Sequence, residues 1–286
     1  MIIVLLHLLA GLAMVSHATR PPQRNQSNAQ EFFLMGTTHR CYVVSSSGEI
    51  LKTFDIPKVT TCEHVAIGAD PEHIIIAISG SAEHTSGIYA SSISPIHLSP
   101  LVVGSGYYAH PVYDKKGKRI LYAHAEGSGG PNRHMPGAYA QLYSIPDVIG
   151  GRVTPVRLTF SVGCHYRPVT DRKGVLIIHS NCNGTERIES LDTQHAIATD
   201  ATDITEATRG PFVDSVVFVA HRITGAELDI RKKSDKHDRR IVRLLPTGRP
   251  VHLASDARGR VYFQYGREVR RYDGTTIKTI ATLPTE

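Results

Sequence analysis

The chain has 286 residues, 41% of them hydrophobic and 20% charged, which is too apolar for a disordered polymer and sufficient for a packed core. The 32 Lys and Arg outnumber the 26 Asp and Glu, and the resulting formal charge of +6 favours anionic surfaces. Apart from Arg231-Lys232-Lys233 and the run from Lys236 to Arg240, the basic residues are dispersed, so no single polyanion-binding stripe is written into the chain.

Residues 1–18 read as a secretory signal peptide, with an apolar run from Ile2 to Val15 and a small-residue end at Ser16-His17-Ala18. The run is too short for a comfortable membrane span, so no stable span is expected once the signal is removed. Residues 19–30 have no apolar periodicity and read as a flexible linker. Residues 31–286 are expected to form one all-β domain, secreted or periplasmic. In that setting anionic polysaccharide, lipid headgroups or an acidic protein face replace nucleic acid as the expected partner. An even cysteine count suits the same oxidising compartment. Folding the hairpin around Lys173 brings Cys164 opposite Cys182, which leaves Cys41 to pair with Cys62.

The stretch from Tyr107 to His124 reads as a β-hairpin, because Asp114-Lys115-Lys116-Gly117 is turn chemistry between two apolar runs. The pattern recurs from Arg167 to His179 and from His252 to Gln264, with weaker copies near His64 and Pro211. Repeats of roughly forty to sixty residues, each divisible into four short strands, point to the blades of a propeller. Residues 32–56 supply a shorter unit of three strands, which makes six blades the first expectation and five the alternative. In the fourth full unit the reading places the first strand at Pro211–Val213 and ends the preceding unit near Ile204. Ring closure is expected to bring the two ends of the domain together, since an open ring exposes sheet edges.

Pro111 to Tyr122 resembles the Pro-x-x-Ser-Pro-Asp-Gly-Lys-x-Ile-x-Phe repeat of the TolB-like propellers, and Pro168 to Ile178 is similar. The resemblance implies a propeller that serves as a binding platform, with structural rather than functional repeats.

Strand order in such a blade gathers the first-strand starts and the loops after the second strand onto one rim. There the pattern places His64, His110, Arg167 and His252 close to the ring axis. His124, His179 and His221 follow at the ends of second strands, and Arg133 and His134 in the loop from Ala125 to Ala138. His64, His124, Arg133, His134, His179 and His221 are the candidate ligand-binding residues. Two chemistries fit the axis. His64, His110 and His252 have the character of a zinc or manganese site with an open position. Alternatively, His110 acts as base while Arg167 neutralises a carboxylate, with Tyr108 and Tyr166 beside them. The second arrangement resembles the His, Arg and Tyr sets of propeller-fold oligogalacturonate and ulvan lyases, and implies cleavage of a uronate-containing glycan. The leading expectation is a module that binds a protein partner or acidic ligand at this rim.

Overall fold

The apolar runs explain the architecture. In the strand His73–Ile78, Ile74, Ile76 and Ile78 pack into one core while Ile75 and Ala77 pack into another, so the strand is buried on both faces. The same division splits Val217 and Val219 from Val216, Phe218 and Ala220 in the strand Ser215–Arg222. A continuous hydrophobic run is the signature of a sheet sandwiched between two neighbours. Fully burying one such side chain contributes about 1.5–3 kcal/mol.

A computed structural model describes residues 31–285 apart from 37, 80–84, 127–139, 147–152, 161–162, 172–173, 181–185, 194–195, 202–203, 213–214, 223–224, 233–234 and 244–249. The described strands form six antiparallel sheets, one of three strands and five of four, each a meander of consecutive strands. Sheet I holds Phe32–Gly36, Arg40–Ser45 and Ile50–Asp55. Sheet II holds Val65–Ile67, His73–Ile78, Gly87–Ser92 and Ser99–Val103. Sheet III holds Tyr107–Asp114, Arg119–Ala125, Gln141–Pro146 and Val156–Arg157. Sheet IV holds Cys164–Asp171, Gly174–Ser180, Glu186–Ser190 and Ala196–Ala201. Sheet V holds Ile204–Arg209, Ser215–Arg222, Gly225–Lys232 and Asp235–Arg243. Sheet VI holds Pro250–Ser255, Val261–Tyr265, Glu268–Tyr272 and Ile277–Thr282.

The first strand of each sheet touches the first strand of the next, from sheet I round to sheet VI and back to sheet I. A hydrophobic core fills each junction, and the last, between sheets VI and I, contains Phe33, Met35, Tyr42, Val44, Tyr262, Val269 and Leu283. Phe33 stacks on Tyr262 at 4.2 Å, and the Gly36 amide donates to Gln264 Oε1 at 2.7 Å. The two ends of the domain thus meet through packing and hydrogen bonds, sheet I having three strands among the described residues. No helix among the described residues is long and apolar enough to cross a membrane. Residues 1–30, with the expected signal and linker, lie outside those described.

One unit was framed wrongly from sequence. Residues 211–212 form a turn, and the first strand of sheet V is Ile204–Arg209. That strand alternates Ile, Thr, Glu, Ala, Thr and Arg and is followed by no Asp-Gly turn, so the repeat offered no anchor for it.

Cys41 and Cys62 form a disulfide with a Cα separation of 5.9 Å. It ties the short 3₁₀ turn Cys62–His64 to the second strand of sheet I. Cys182, the expected partner of Cys164, lies outside the described residues. Replacing Cys41 and Cys62 together by Ser is expected to lower the unfolding free energy by about 3 kcal/mol, the chain-entropy value for a loop of this size. Urea unfolding followed by circular dichroism measures it; a loss below about 1 kcal/mol would mean that sheet packing already fixes the turn.

Candidate functional site in the central cavity

All six sheets contribute their innermost segment to one cavity of about 330 Å³. One part of its wall is apolar or hydroxylic, with Leu34, Ile67, Val112 and Thr170. The remainder carries Glu63, His110, Arg167, Glu206 and His252.

Backbone irregularities bring these side chains together. In sheet III, Ala109 pairs with Ala123 and Val112 with Leu121, so His110 and Pro111 together face the single residue Tyr122. In sheet IV the pairs Tyr166–Ile178 and Val169–Leu176 leave Arg167 and Pro168 opposite Ile177. In sheet VI, Val251–Gln264 and Ala254–Tyr262 leave His252 and Leu253 opposite Phe263. Each is a β-bulge, a device that re-aims a side chain. His110, Arg167 and His252 have φ of 48°, 49° and 58°, the left-handed region that costs a non-glycine residue energy. A register shift between Ile204 and Glu206 accompanies the matching position of sheet V.

Arg167 is the electrostatic centre. Its guanidinium lies 3.5 Å from Glu63 Oε2 and 3.4 Å from Glu206 Oε1, and Glu206 also accepts the Leu253 amide. The His64 and His110 rings lie 4.9 Å apart, with Tyr107 edge-on to His64 at 6.3 Å. Burial drives the pKa of His110 well below its ordinary value, reinforced by the charges of Arg167 and His64 and opposed by a hydrogen bond to the Glu63 backbone. Burial also lowers His252, against the pull of Glu206 and Glu63 and a hydrogen bond to the Gly36 backbone. His64 shifts down for the same first reason, and its Nδ1 is buried without a hydrogen-bond partner among the described residues. With neutral histidines, one arginine faces two carboxylates, so the group carries a net single negative charge.

No protein-family model matches the chain, and no curated protein matches it. Solved structures do. A chain of the nidogen/laminin complex superimposes with a TM-score of 0.59 at 13% identity, over 85% of this chain and 89% of that one. TolB from Acinetobacter baumannii gives 0.55 at 13% identity, over 87% of this chain and 60% of that one. A TolB-type protein from Agrobacterium tumefaciens gives 0.54 at 12% identity, covering 86% and 89%.

The chain folds as a β-propeller. The TolB-like repeat seen around Asp114 and in sheet IV is therefore a blade repeat, and the site lies on the propeller axis.

The propeller gathers only part of what the sequence proposed. His110, Arg167 and His252 line the cavity, and His64 sits against His110. They reach it from inside their strands or from a turn, whereas the sequence placed them at strand starts; Tyr107 and Cys164 begin the strands that carry His110 and Arg167. Among the described residues, His64, His110 and His252 do not form a set with donors close enough to share a metal ion. The reason is local: the His110 and His252 rings are each directed to a backbone group, and the Arg167 charge acts on both. Tyr108 and Tyr166 do not join His110 and Arg167 either. Tyr108 packs between Tyr122 and His124, and Tyr166 donates to Glu186 Oε1 at 2.8 Å. His124 is held by the Tyr107 carbonyl at 3.2 Å. His179 lies in sheet IV against Glu189, and Arg133, His134 and the His221 side chain fall outside the description.

Glu63 and Glu206 were missed. Glu63 lies in no recognisable motif beside His64, and Glu206 lies on the strand Ile204–Arg209, which has no turn signal to mark it. The bulges had a signal: a proline inside a strand cannot donate to the ladder and is confined to edges or bulges, and His110-Pro111 and Arg167-Pro168 both carry one.

Proposed function

We propose that the protein is an exported propeller that binds a protein partner at the end of its axis bearing Glu63, His64, His110, Arg167, Glu206 and His252. The observation that carries this reading is the convergence of three left-handed, non-glycine residues, His110, Arg167 and His252, on one cavity. Strained backbone of this kind costs about 1–3 kcal/mol per residue and concentrates where a side chain must be aimed. Packing alone supplies no reason for it, since sheet I lines the same cavity with Phe32, Phe33 and Leu34.

The charge arrangement favours a protein over an acidic glycan. Arg167 is already shared by two carboxylates, so an anionic ligand meets net repulsion, whereas a Lys or Arg side chain or an amino terminus from a partner meets Glu63 and Glu206. The dispersed anchoring of Tyr108 and Tyr166 likewise weighs against the lyase alternative. The nidogen/laminin structure is a protein–protein complex on a comparable fold. Export accords with the Cys41–Cys62 bridge and the apolar N-terminal run.

A photo-crosslinking residue placed at Tyr107, beside the His64 ring, tests this in the secreted or periplasmic fraction of the source cells. A discrete protein adduct is expected there, reduced at least tenfold by Arg167→Gln and by His252→Gln, with none when the crosslinker replaces Lys116 in the opposite turn. Absence of any adduct, or equal adducts at both ends, overturns the proposal.

A further inference from the structure

Away from the axis, sheet IV carries a second polar cluster that the axial site does not use. His165 and His179 are directly opposite one another on adjacent strands, and Glu189 lies on the third strand, where it faces Ile177 in register. The side chains of all three are nearly or fully buried, with exposures of 2%, 5% and 11%. The imidazoles stack at 4.2 Å with an interplanar angle of 16°. His179 Nδ1 is 3.1 Å from Glu189 Oε1, and His165 Nε2 is 3.9 Å from Glu189 Oε2. One ligand atom from each residue lies within 4.8 Å of the other two.

We propose that His165, His179 and Glu189 form a binding site for one divalent transition-metal ion, with zinc as the expected occupant, that clamps the first three strands of sheet IV together.

The spacing is the first argument. Ligands of a tetrahedral zinc ion, bonded at about 2.0–2.1 Å, lie about 3.3 Å from each other. The separations of 3.1 Å from His179 to Oε1 and 3.9 Å from His165 to Oε2 lie on either side of that value, so the carboxylate turns one oxygen to each imidazole, and the longer separation exceeds hydrogen-bond reach. The donor set is the second argument. Two imidazoles and one carboxylate select zinc and its transition-metal neighbours over magnesium and calcium, which take oxygen ligands, and three protein donors leave a position for water.

Two cations oppose the ion, Arg157 through its charge on His165 and Arg187 by contact. Arg187, on the same strand as Glu189, places Nε on Glu189 Oε1, and its side chain is 44% exposed. A half-exposed guanidinium can leave the carboxylate for water at small cost, so it competes with the metal without blocking it. Removing it therefore tightens binding, a behaviour that a purely hydrogen-bonded cluster does not produce.

The test uses the full mature chain stripped with EDTA and titrated with Zn²⁺ against a chromophoric chelator, with Co²⁺ as a spectroscopic probe. One zinc per chain is expected, with the intense visible bands of four-coordinate cobalt. His179→Gln and Glu189→Gln should each weaken zinc at least tenfold, Arg187→Gln should tighten it three- to tenfold, and His110→Gln with His252→Gln should leave stoichiometry unchanged. Circular dichroism of each variant confirms folding. The proposal is overturned if neither the native chain nor Arg187→Gln takes up stoichiometric zinc, if cobalt gives only weak six-coordinate bands, or if zinc is lost on changing His110 and His252 alone.

Discussion

Lowering the pH from 7.5 to 4.5 is expected to remove at least about 3 kcal/mol of folding stability. His165 has a folded pKa pushed to about 4 from an ordinary value of 6.5, burial being the main cause. Below 6.5 the unfolded chain therefore binds a proton that the folded chain refuses, and stability falls with pH until the folded value is reached. At about 1.4 kcal/mol per pH unit over the two units from 6.5 to 4.5, this histidine alone accounts for about 2.5 kcal/mol. His64, His110, His124 and His252 move in the same direction, each with burial as the leading cause, and add to the slope. Above 6.5 the histidine contribution is complete and the curve should be flat. Glu189 and Asp70, held low in the folded chain, add their own loss only as the pH falls below their ordinary values of 4.5 and 3.8, at the lower edge of the histidine window. Urea unfolding in EDTA across pH 4.5–7.5, read by far-ultraviolet circular dichroism because the chain has no tryptophan, measures the effect. His165→Gln should flatten the slope as well as lower the stability. An unchanged slope in that variant, or a flat native profile, would falsify the assignment of acid lability to buried histidine.

The same burial explains why the sequence revealed the fold more readily than the site. Asp114 to Gly117 was readable because turn chemistry is local: Asp114 Oδ1 accepts the Gly117 amide at 3.1 Å, and a Cβ on Gly117 would meet Asp114 Oδ2 at 2.5 Å. Strand runs were readable because a strand sandwiched between two cores is apolar throughout. The site depends on long-range facts. Glu63, Arg167 and Glu206 meet across sequence separations that no short motif spans, and their approach is set by bulges whose register appears only once strands pair. His165 shows the limit most clearly. It lies two residues before Arg167, a spacing that regular alternation puts on one face, but the bulge and left-handed φ at Arg167 turn that side chain to the cavity and leave His165 in the stack with His179.

The second large effect concerns the turn that closes the ring. Asp256→Ala is expected to cost about 4 kcal/mol, against about 2 kcal/mol for Asp114→Ala at the corresponding turn of sheet III. Both aspartates cap their turns and hold an arginine, but their loads differ. Asp114 accepts one amide and Arg119 Nε at 2.8 Å. Asp256 Oδ1 accepts the amides of Arg258 and Arg260 at 2.8 and 2.9 Å, while Oδ2 accepts Arg260 Nε at 2.6 Å and the Tyr262 hydroxyl at 3.0 Å. Tyr262 is fully buried, and burial followed by the Asp256 charge pushes its pKa up to about 12. Its ring stacks on Phe33 of sheet I, so removing the carboxylate leaves a buried hydroxyl only its long 3.5 Å bond to the Ser46 carbonyl, at the junction where the two ends of the domain meet. Asp256→Asn should fall between the native chain and Asp256→Ala, since an amide oxygen still accepts the two backbone groups but no longer balances Arg260. Equal losses for Asp256→Ala and Asp114→Ala in urea unfolding would mean that both turns act only locally. A larger loss at Asp256, together with weakened Phe33–Tyr262 packing seen as altered near-ultraviolet circular dichroism, would tie ring closure to this carboxylate.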